Sequence, residues 1–493
     1  MKIREFVADI FLKSTHNFNP KLNTMKLLNP ELAQYLKTIL KDQYLSFLSA
    51  KPEATAIRVN TLKSDIKSLK QKLKNWQLSF KPHPVNPEGL IIENDFLPLS
   101  HSLSFFKGEF NYQGISSQLP VLALDPQPGE TILDMAASPG SKSTQIAALM
   151  KNSGRLVLNE VSIRRQQALV SNTLRSGIIN DVSLRLPGQR FGTLFPEFFD
   201  RILVDAPCSA LGTLPAHFDE INGWWSIETM NSLANLQYQL LISAIKATKV
   251  NGVIVYSTCS ISAEENEIIV DKILKEYPVK IEKIPIISGS QFQNGLTFFQ
   301  DKQFDPDLKR AVRTYPQTSQ MEGFFIVRLR KTAAVKIHPS KKLMPFVPLF
   351  ESNNSYVVDV LKHLSVRWGI DLDYLSQFNY SIGKKRIWLV NKDWRQVPQM
   401  EFNKAGIMLA EKKYKEWRLT NSSVQFLKNN ITSSKLELNV DEIKALFKTG
   451  TLEKTNQAPG YYVLTFQNKF IGSGSLFNGK LKIRLPHLFN LVL

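Results

Sequence analysis

Thr131-Ile132-Leu133-Asp134-Met135-Ala136-Ala137-Ser138-Pro139-Gly140-Ser141-Lys142 is the stretch whose reading decides the fold. A short apolar run ends in an acid, a turn of small residues follows, and residues 141–150 then have helical character. Working outward, three more apolar runs of similar length stand at 155–159, 201–204 and 252–257, and helical patterns occupy 163–175 and 228–248. Short runs without polar alternation read as strands buried on both faces. Strands alternating with helices predict a doubly wound, Rossmann-like α/β sheet, which binds ligands at the carboxyl ends of its strands.

The turn suits a nucleotide. Its small residues let backbone approach a ligand, and the helix that follows presents free N–H groups. It is neither G-x-G-x-x-G nor a Walker A loop, which sets dinucleotide enzymes and P-loop ATPases aside. Glu160 closes the second predicted strand, where an acid can accept hydrogen bonds from both ribose hydroxyls of an adenosyl cofactor. Read alone, the same residues also make an ordinary strand-to-helix connection.

The 2 cysteines of the 493-residue chain each follow a predicted buried strand. Cys208 stands in Val204-Asp205-Ala206-Pro207-Cys208-Ser209, and Cys259 in Val255-Tyr256-Ser257-Thr258-Cys259-Ser260. A single cysteine is more often a small buried hydrophobe than a nucleophile. Two at strand ends in one sheet reverse that expectation, because adjacent strands bring both to one crevice.

Composition sets the class of partner. A formal charge of +19 favours a polyanion, and roughly +13 of it lies after residue 330. Two cysteines exclude a disulfide scaffold, and the 7 histidines lack ligand spacing, so no metal is expected. No run of about 18 apolar residues occurs and the amino-terminal residues do not read as a signal sequence, so no membrane association and a cytoplasmic location are expected.

Further segments carry a resemblance. They are Ile57-Arg58-Val59-Asn60-Thr61-Leu62-Lys63, Tyr112-Gln113, Ser116-Ser117-Gln118-Leu119-Pro120, Glu264-Glu265-Asn266-Glu267 and Glu322-Gly323-Phe324-Phe325. With the two cysteine motifs, they make the chain resemble the Nop/Sun family of RNA cytosine-C5 methyltransferases, and in particular its bacterial ribosomal members. The resemblance implies a class I methyltransferase domain using S-adenosyl-L-methionine, with RNA (rRNA or the small ribosomal subunit) as partner. It implies Cys259 as nucleophile, with Cys208 assisting release of the methylated product. Ala136, Ala137, Ser138, Pro139, Gly140, Ser141, Lys142, Glu160 and Asp205 would hold the cofactor. Asp205 would also touch the base. The chemistry calls for such a thiol: C5 of cytosine is a poor nucleophile until a thiolate adds at C6. A populated thiolate calls in turn for nearby positive charge, for which Lys142 and the cofactor's sulfonium are candidates.

The expected organisation is an α+β RNA-binding module over 1–117, the methyltransferase domain over 118–330, a basic linker and intermediate region over 331–425, and a β-rich PUA-like RNA-binding domain over 426–493. A monomer is expected, since the chain carries its own RNA-binding modules. Pro187-Gly188 departs from the family, which commonly places Asp-Gly there to meet the adenine end of the cofactor. Ser138 replaces a usual alanine. After Cys208 this chain reads Ser209-Ala210, then Leu214-Pro215-Ala216-His217. Three rival readings stand beside this one: an assembly factor that binds without turnover, a 5-methyluridine enzyme, and a protein glutamine methyltransferase. The last lacks its N-P-P-[YF] tetrapeptide here. His217, Trp224-Trp225 and Lys384-Lys385-Arg386 are read as a solvated histidine, packing indoles and a charged strand edge.

Overall fold

The computed structural model describes residues 28–94, 99–284, 287–338, 348–394, 402–413, 416–485 and 488–492. The amino-terminal residues read for a signal sequence, and residues 339–347 of the expected linker, lie outside them. The central sheet is built from β1 (Thr131–Asp134), β2 (Arg155–Asn159), β3 (Asp181–Leu184), β4 (Phe199–Asp205), β5 (Thr248–Thr258), β6 (Val312–Thr314) and β7 (Phe324–Lys331). Their order is β6-β7-β5-β4-β1-β2-β3. All neighbours from β5 through β3 pair parallel, and β7 runs antiparallel to both β5 and β6. Chain order reverses between β1 and β4, which is where a doubly wound sheet opens a crevice.

Period-two alternation explains how two faces are filled. Ile132, Leu156, Leu158, Leu203 and Val255 point into one apolar cluster, while Leu133, Val157, Val204, Ile254 and Tyr256 point into the other. Helices α1 (Ser141–Leu149), α2 (Ile163–Ser176), α3 (Ile227–Ala247) and α4 (Glu267–Glu276) connect them. Ser162 and Ser226 cap α2 and α3 through their hydroxyls, and α2 stops at Gly177, whose φ of 75° is left-handed.

An antiparallel sheet precedes this domain, ordered Phe80–Pro82, Gly89–Ile92, Ala56–Val59, Phe110–Tyr112. Arg58 leaves it fully buried, donating to Gln113 Oε1 at 2.8 Å and to Thr144 Oγ1 of α1 at 2.9 Å. Asn60 Nδ2 donates to the carbonyl of Ser176 at the end of α2. The module is therefore bolted to the central sheet through buried polar groups, which would be costly to leave unpaired.

The span expected as linker and intermediate region carries a 5-stranded antiparallel sheet: Phe350–Glu351, Phe378–Ile382, Arg386–Asn391, Ile407–Lys413 and Glu416–Leu419. Helix Ser355–Trp368 packs on it around the buried Trp368 and Tyr380. Its short strand β8 (Lys404–Ala405) adds to the edge of the central sheet beside β3, antiparallel. There Lys404 Nζ reaches the buried Asp181, and Trp394 Nε1 donates to the carbonyl of Asn180. The terminal sheet, ordered Lys435–Leu438, Gly460–Phe466, Lys469–Phe477, Lys480–Ile483, Thr451–Glu453, is the β-rich unit expected from the sequence. It returns to the amino-terminal module, where Phe106 meets Phe447 edge-on at 5.0 Å.

Candidate active site

The carboxyl ends of β4 and β5 bring the two cysteines together. Cys208 Sγ and Cys259 Sγ stand 3.2 Å apart, both buried and both free. Two backbone bonds lock the loops that carry them: Ala206 N–H to the carbonyl of Ser257, and Gly212 N–H to that of Cys259, each 2.9 Å. A buried carboxylate completes the clamp. Glu265 Oε1 accepts from Ser209 N–H at 2.8 Å and from Gln237 Nε2 at 2.9 Å, while Oε2 accepts from Ser262 Oγ at 2.9 Å and from Ser209 Oγ. These bonds all come from loops or a helix flanking the thiols, so the carboxylate holds them in register.

Asp205, at the end of β4, pairs with Lys142 Nζ at 2.8 Å and accepts from Ser257 Oγ at 2.8 Å. Lys142 also donates to Ser117 Oγ at 2.9 Å, and its ammonium lies 5.4 Å from the centre of the Phe324 ring. Burial works against the Lys142 charge, but Asp205 more than offsets it and holds the ammonium above the ordinary lysine range. The expected lowering of the Cys259 thiol is not found. A hydrogen bond shared with Cys208 and burial push it well above its ordinary value, and Asp205 and Glu322 add to the effect.

Residues 135–140 connect β1 to α1, and Ser141 and Lys142 open the helix. Gly140 has φ 107°, and a side chain there would press on Leu169 Cδ1 at 3.2 Å, so only glycine suits the turn. Ser138 Oγ donates to the carbonyl of Arg165 at 2.9 Å, and Arg165 Nη2 returns to the carbonyl of Ser138 at 3.1 Å. Glu160 stands at the end of β2, accepting from Ser162 N–H at 2.9 Å and pairing with Arg165 at 3.2 Å. Asp134, which ends β1, takes Ser143 Oγ on one oxygen at 2.7 Å, while its other oxygen is buried without a partner. Burial pushes its carboxyl up to about 7. An unpaired acceptor, a glycine turn and a second acid one strand away form a donor-seeking cradle that fits a cationic, ribose-bearing cofactor.

Pro187 and Gly188 lie past β3, with Gly188 wedged so that a Cβ would meet Leu240 Cδ2 at 2.4 Å. Several neighbours of the site had no role in the sequence reading: Asp134, Ser117, Ser257 and Glu322 stood in quoted segments without one, and Gln237 and Glu53 were not singled out. Glu264-Glu265-Asn266-Glu267 stood among the segments that carry the family resemblance, with no role attached. Trp225 is buried against Tyr35, ring centres 5.1 Å apart, as a packing indole should be. His217 lies 3.4 Å from Glu220 rather than against the thiols.

Known proteins are similar to this chain in sequence and fold. Residues 121–330 match the family model described as 16S rRNA methyltransferase RsmB/F. Ribosomal RNA small subunit methyltransferase F of Vibrio cholerae is 31% identical over 481 residues, covering 94% of this chain and 97% of that protein. Its Citrobacter koseri counterpart is 32% identical over 459 residues, covering 89% and 91%. Among solved structures, a methyltransferase homologue from Pyrococcus horikoshii aligns with TM-score 0.55 and 30% identity, over 61% of this chain and 94% of that one. NSun6 from Pyrococcus horikoshii, solved with SFG, aligns with TM-score 0.55 and 26% identity, over 63% and 100%. On sequence, fold and coverage together, the chain belongs to the RsmB/F family of rRNA methyltransferases.

Proposed function

We propose that this chain methylates C5 of a cytidine in small-subunit (16S) ribosomal RNA, with Cys259 as covalent nucleophile. The observation that carries the reading is the pair of thiols 3.2 Å apart, set beside an acid–lysine pair at the mouth of the sheet. S-adenosyl-L-methionine, whose analogue SFG accompanies NSun6, supplies an electrophilic methyl group when bound. Residues 136–142, Asp134, Glu160 and Asp205 are the groups that would hold it. Cys259 adds to C6, forming an S–C bond and making C5 nucleophilic, and Asp205 accepts from the exocyclic amine of the base. After transfer the C5 proton departs and the thiolate is expelled. Cys208 then lies where its S–H can donate to the departing sulfur. The target base must leave its stack to reach this crevice.

The raised thiol has a consequence. The reactive form is the thiolate, so kcat/KM of the free enzyme should climb with pH through the neutral range and into the alkaline range. A profile flat from pH 6 to 9 would refute this assignment.

RNA is gripped away from the chemistry in this reading. A groove of about 400 Å³ between the two carboxyl-terminal sheets is lined by Lys413, Arg418, Tyr461, Phe477, Lys480 and Lys482. Replacing Lys413, Lys480 and Lys482 by glutamine should flatten the slope of log affinity against log salt by about 2 to 3. An unchanged slope in filter binding would remove the groove from the RNA path.

Pro187 suggests the converse experiment. Pro187→Asp restores the acid common in the family and should tighten cofactor binding by about 1–2 kcal/mol, read by calorimetry. The function itself is tested by incubating the protein with rRNA, small subunits and methyl-labelled cofactor, then digesting to nucleosides. Label in 5-methylcytidine is expected. Label in 5-methyluridine, or none with RNA still bound, overturns the reading.

A further inference from the structure

The reaction just described needs a group to accept the C5 proton, and the obvious neighbours are occupied. Asp205 is committed to Lys142 and Ser257. Cys208 shares its hydrogen with Cys259. Glu322 is different. It is half-buried, on the segment leading into β7, and its backbone is pinned on three sides. Its N–H donates to Glu53 Oε2 at 2.9 Å, and its carbonyl accepts from Ser116 Oγ at 2.8 Å and Thr314 Oγ1 at 2.7 Å. The next residue fixes it against the Cys208 loop: Gly323 N–H donates to the carbonyl of Gly212 at 2.9 Å. A Cβ on Gly212 would lie 2.0 Å from the carbonyl oxygen of Gly323, so nothing larger than glycine permits this approach.

From that anchor the Glu322 carboxyl feels the charges of Glu53 and Lys142, and it disfavours the charged form of Cys259. Glu53 spends its own oxygens on the N–H groups of Ile115, Ser116 and Glu322. Gly212 N–H in turn donates to the carbonyl of Cys259 at 2.9 Å, so two backbone hydrogen bonds join the segment carrying Glu322 to the one carrying the nucleophile, and the Glu322 carboxyl makes no side-chain hydrogen bond among the described residues.

We propose that Glu322 is the catalytic base that removes the C5 proton from the methylated Cys259 adduct. This inference rests on the covalent reading above. The step balances as follows. The Glu322 carboxylate takes the proton, the C5–H electron pair becomes the C5–C6 π bond, and the C6–S bond breaks with its pair leaving on Cys259 as thiolate. Glu322 ends protonated. Burial, and then Glu53, push its carboxyl up to about 8 against the pull of Lys142, which places it near working pH, where a base is most effective.

The test uses the full chain, RNA substrate and methyl-labelled cofactor with Glu322→Gln and Glu322→Asp. Glu322→Gln should lower kcat by about 100-fold with KM within threefold, and should accumulate methyl-labelled RNA covalently attached to protein on denaturing gels. Glu322→Asp should recover at least a tenth of the turnover and clear the adduct, with its alkaline-rising pH limb displaced from that of wild type. Turnover of Glu322→Gln within threefold of wild type overturns the proposal. So does lost turnover without adduct while RNA still binds, which marks a structural role. Failure of the underlying reading shows elsewhere: wild type then forms no 5-methylcytidine, and Cys259→Ala behaves like wild type.

Discussion

Cys259→Ala is expected to lose 5-methylcytidine formation by at least about three orders of magnitude while still binding RNA within about twofold of wild type. The effect is large because the substitution removes the covalent route to C6, leaving Cys208 in its separate place on the β4 loop. The nearest hydroxyls are engaged: Ser257 Oγ donates to Asp205, and Ser260 Oγ lies in the chain of hydroxyls that runs through Ser209 and Ser262 to Glu265. A serine hydroxyl in those positions is also a far weaker nucleophile than a thiolate. Cys208→Ala should behave in the opposite way, trapping RNA on Cys259 because the departing sulfur loses its hydrogen-bond donor. Nucleoside analysis and denaturing gels read both results. More than a tenth of wild-type activity in Cys259→Ala would sink the covalent assignment.

Arg313→Met is expected to destabilise the chain by about 3–5 kcal/mol, the usual cost of stranding one partner of a buried ion pair. Arg313, on β6, and Glu267, at the start of α4, are both nearly inaccessible to solvent. The guanidinium reaches Glu267 Oε1 at 2.6 Å through Nε and Oε2 through Nη2. Nη1 adds the carbonyl of Ile261 at 3.0 Å and Tyr315 Oη at 2.8 Å. Removing it strands the buried carboxyl of Glu267, with the N–H of Leu296 as its remaining hydrogen-bond donor among the described residues, and frees the loop that follows Cys259. The denaturant midpoint should fall, and Arg313→Met with Glu267→Met should recover part of the loss, because no charge is then left buried. A loss under about 1 kcal/mol for Arg313→Met alone would show that water reaches this pair after all.

How the site was and was not legible follows from these residues. Cys208, Cys259, Asp205, Lys142 and Glu160 could be placed from sequence because each follows a short apolar run. A doubly wound sheet sends the ends of such runs to one edge. Glu53 and Glu322 could not. They lie 269 positions apart, and their approach depends on docking the amino-terminal sheet against the central one. The same holds for Ser117 on Lys142, and for Arg58, whose place in a recognisable motif gave no hint that it would be buried against Thr144.

The region after residue 330 teaches the same lesson from the other direction. Its charge was plain, but basic residues on exposed edges hid the alternating strands between 378 and 419, which fold into a packed sheet. Nor could the sequence foresee that Lys404 would enter the interior beside Asp181 and extend the catalytic sheet. Hydrophobic periodicity and the small-residue turn are local properties, so sequence alone determined the doubly wound core, its strand-end residues and its polyanion-seeking charge. Thiol ionisation and the docking of the flanking sheets depend on charges and contacts brought together across hundreds of residues. Tertiary structure decided those, because burial and Coulomb interaction depend on distance in space rather than along the chain.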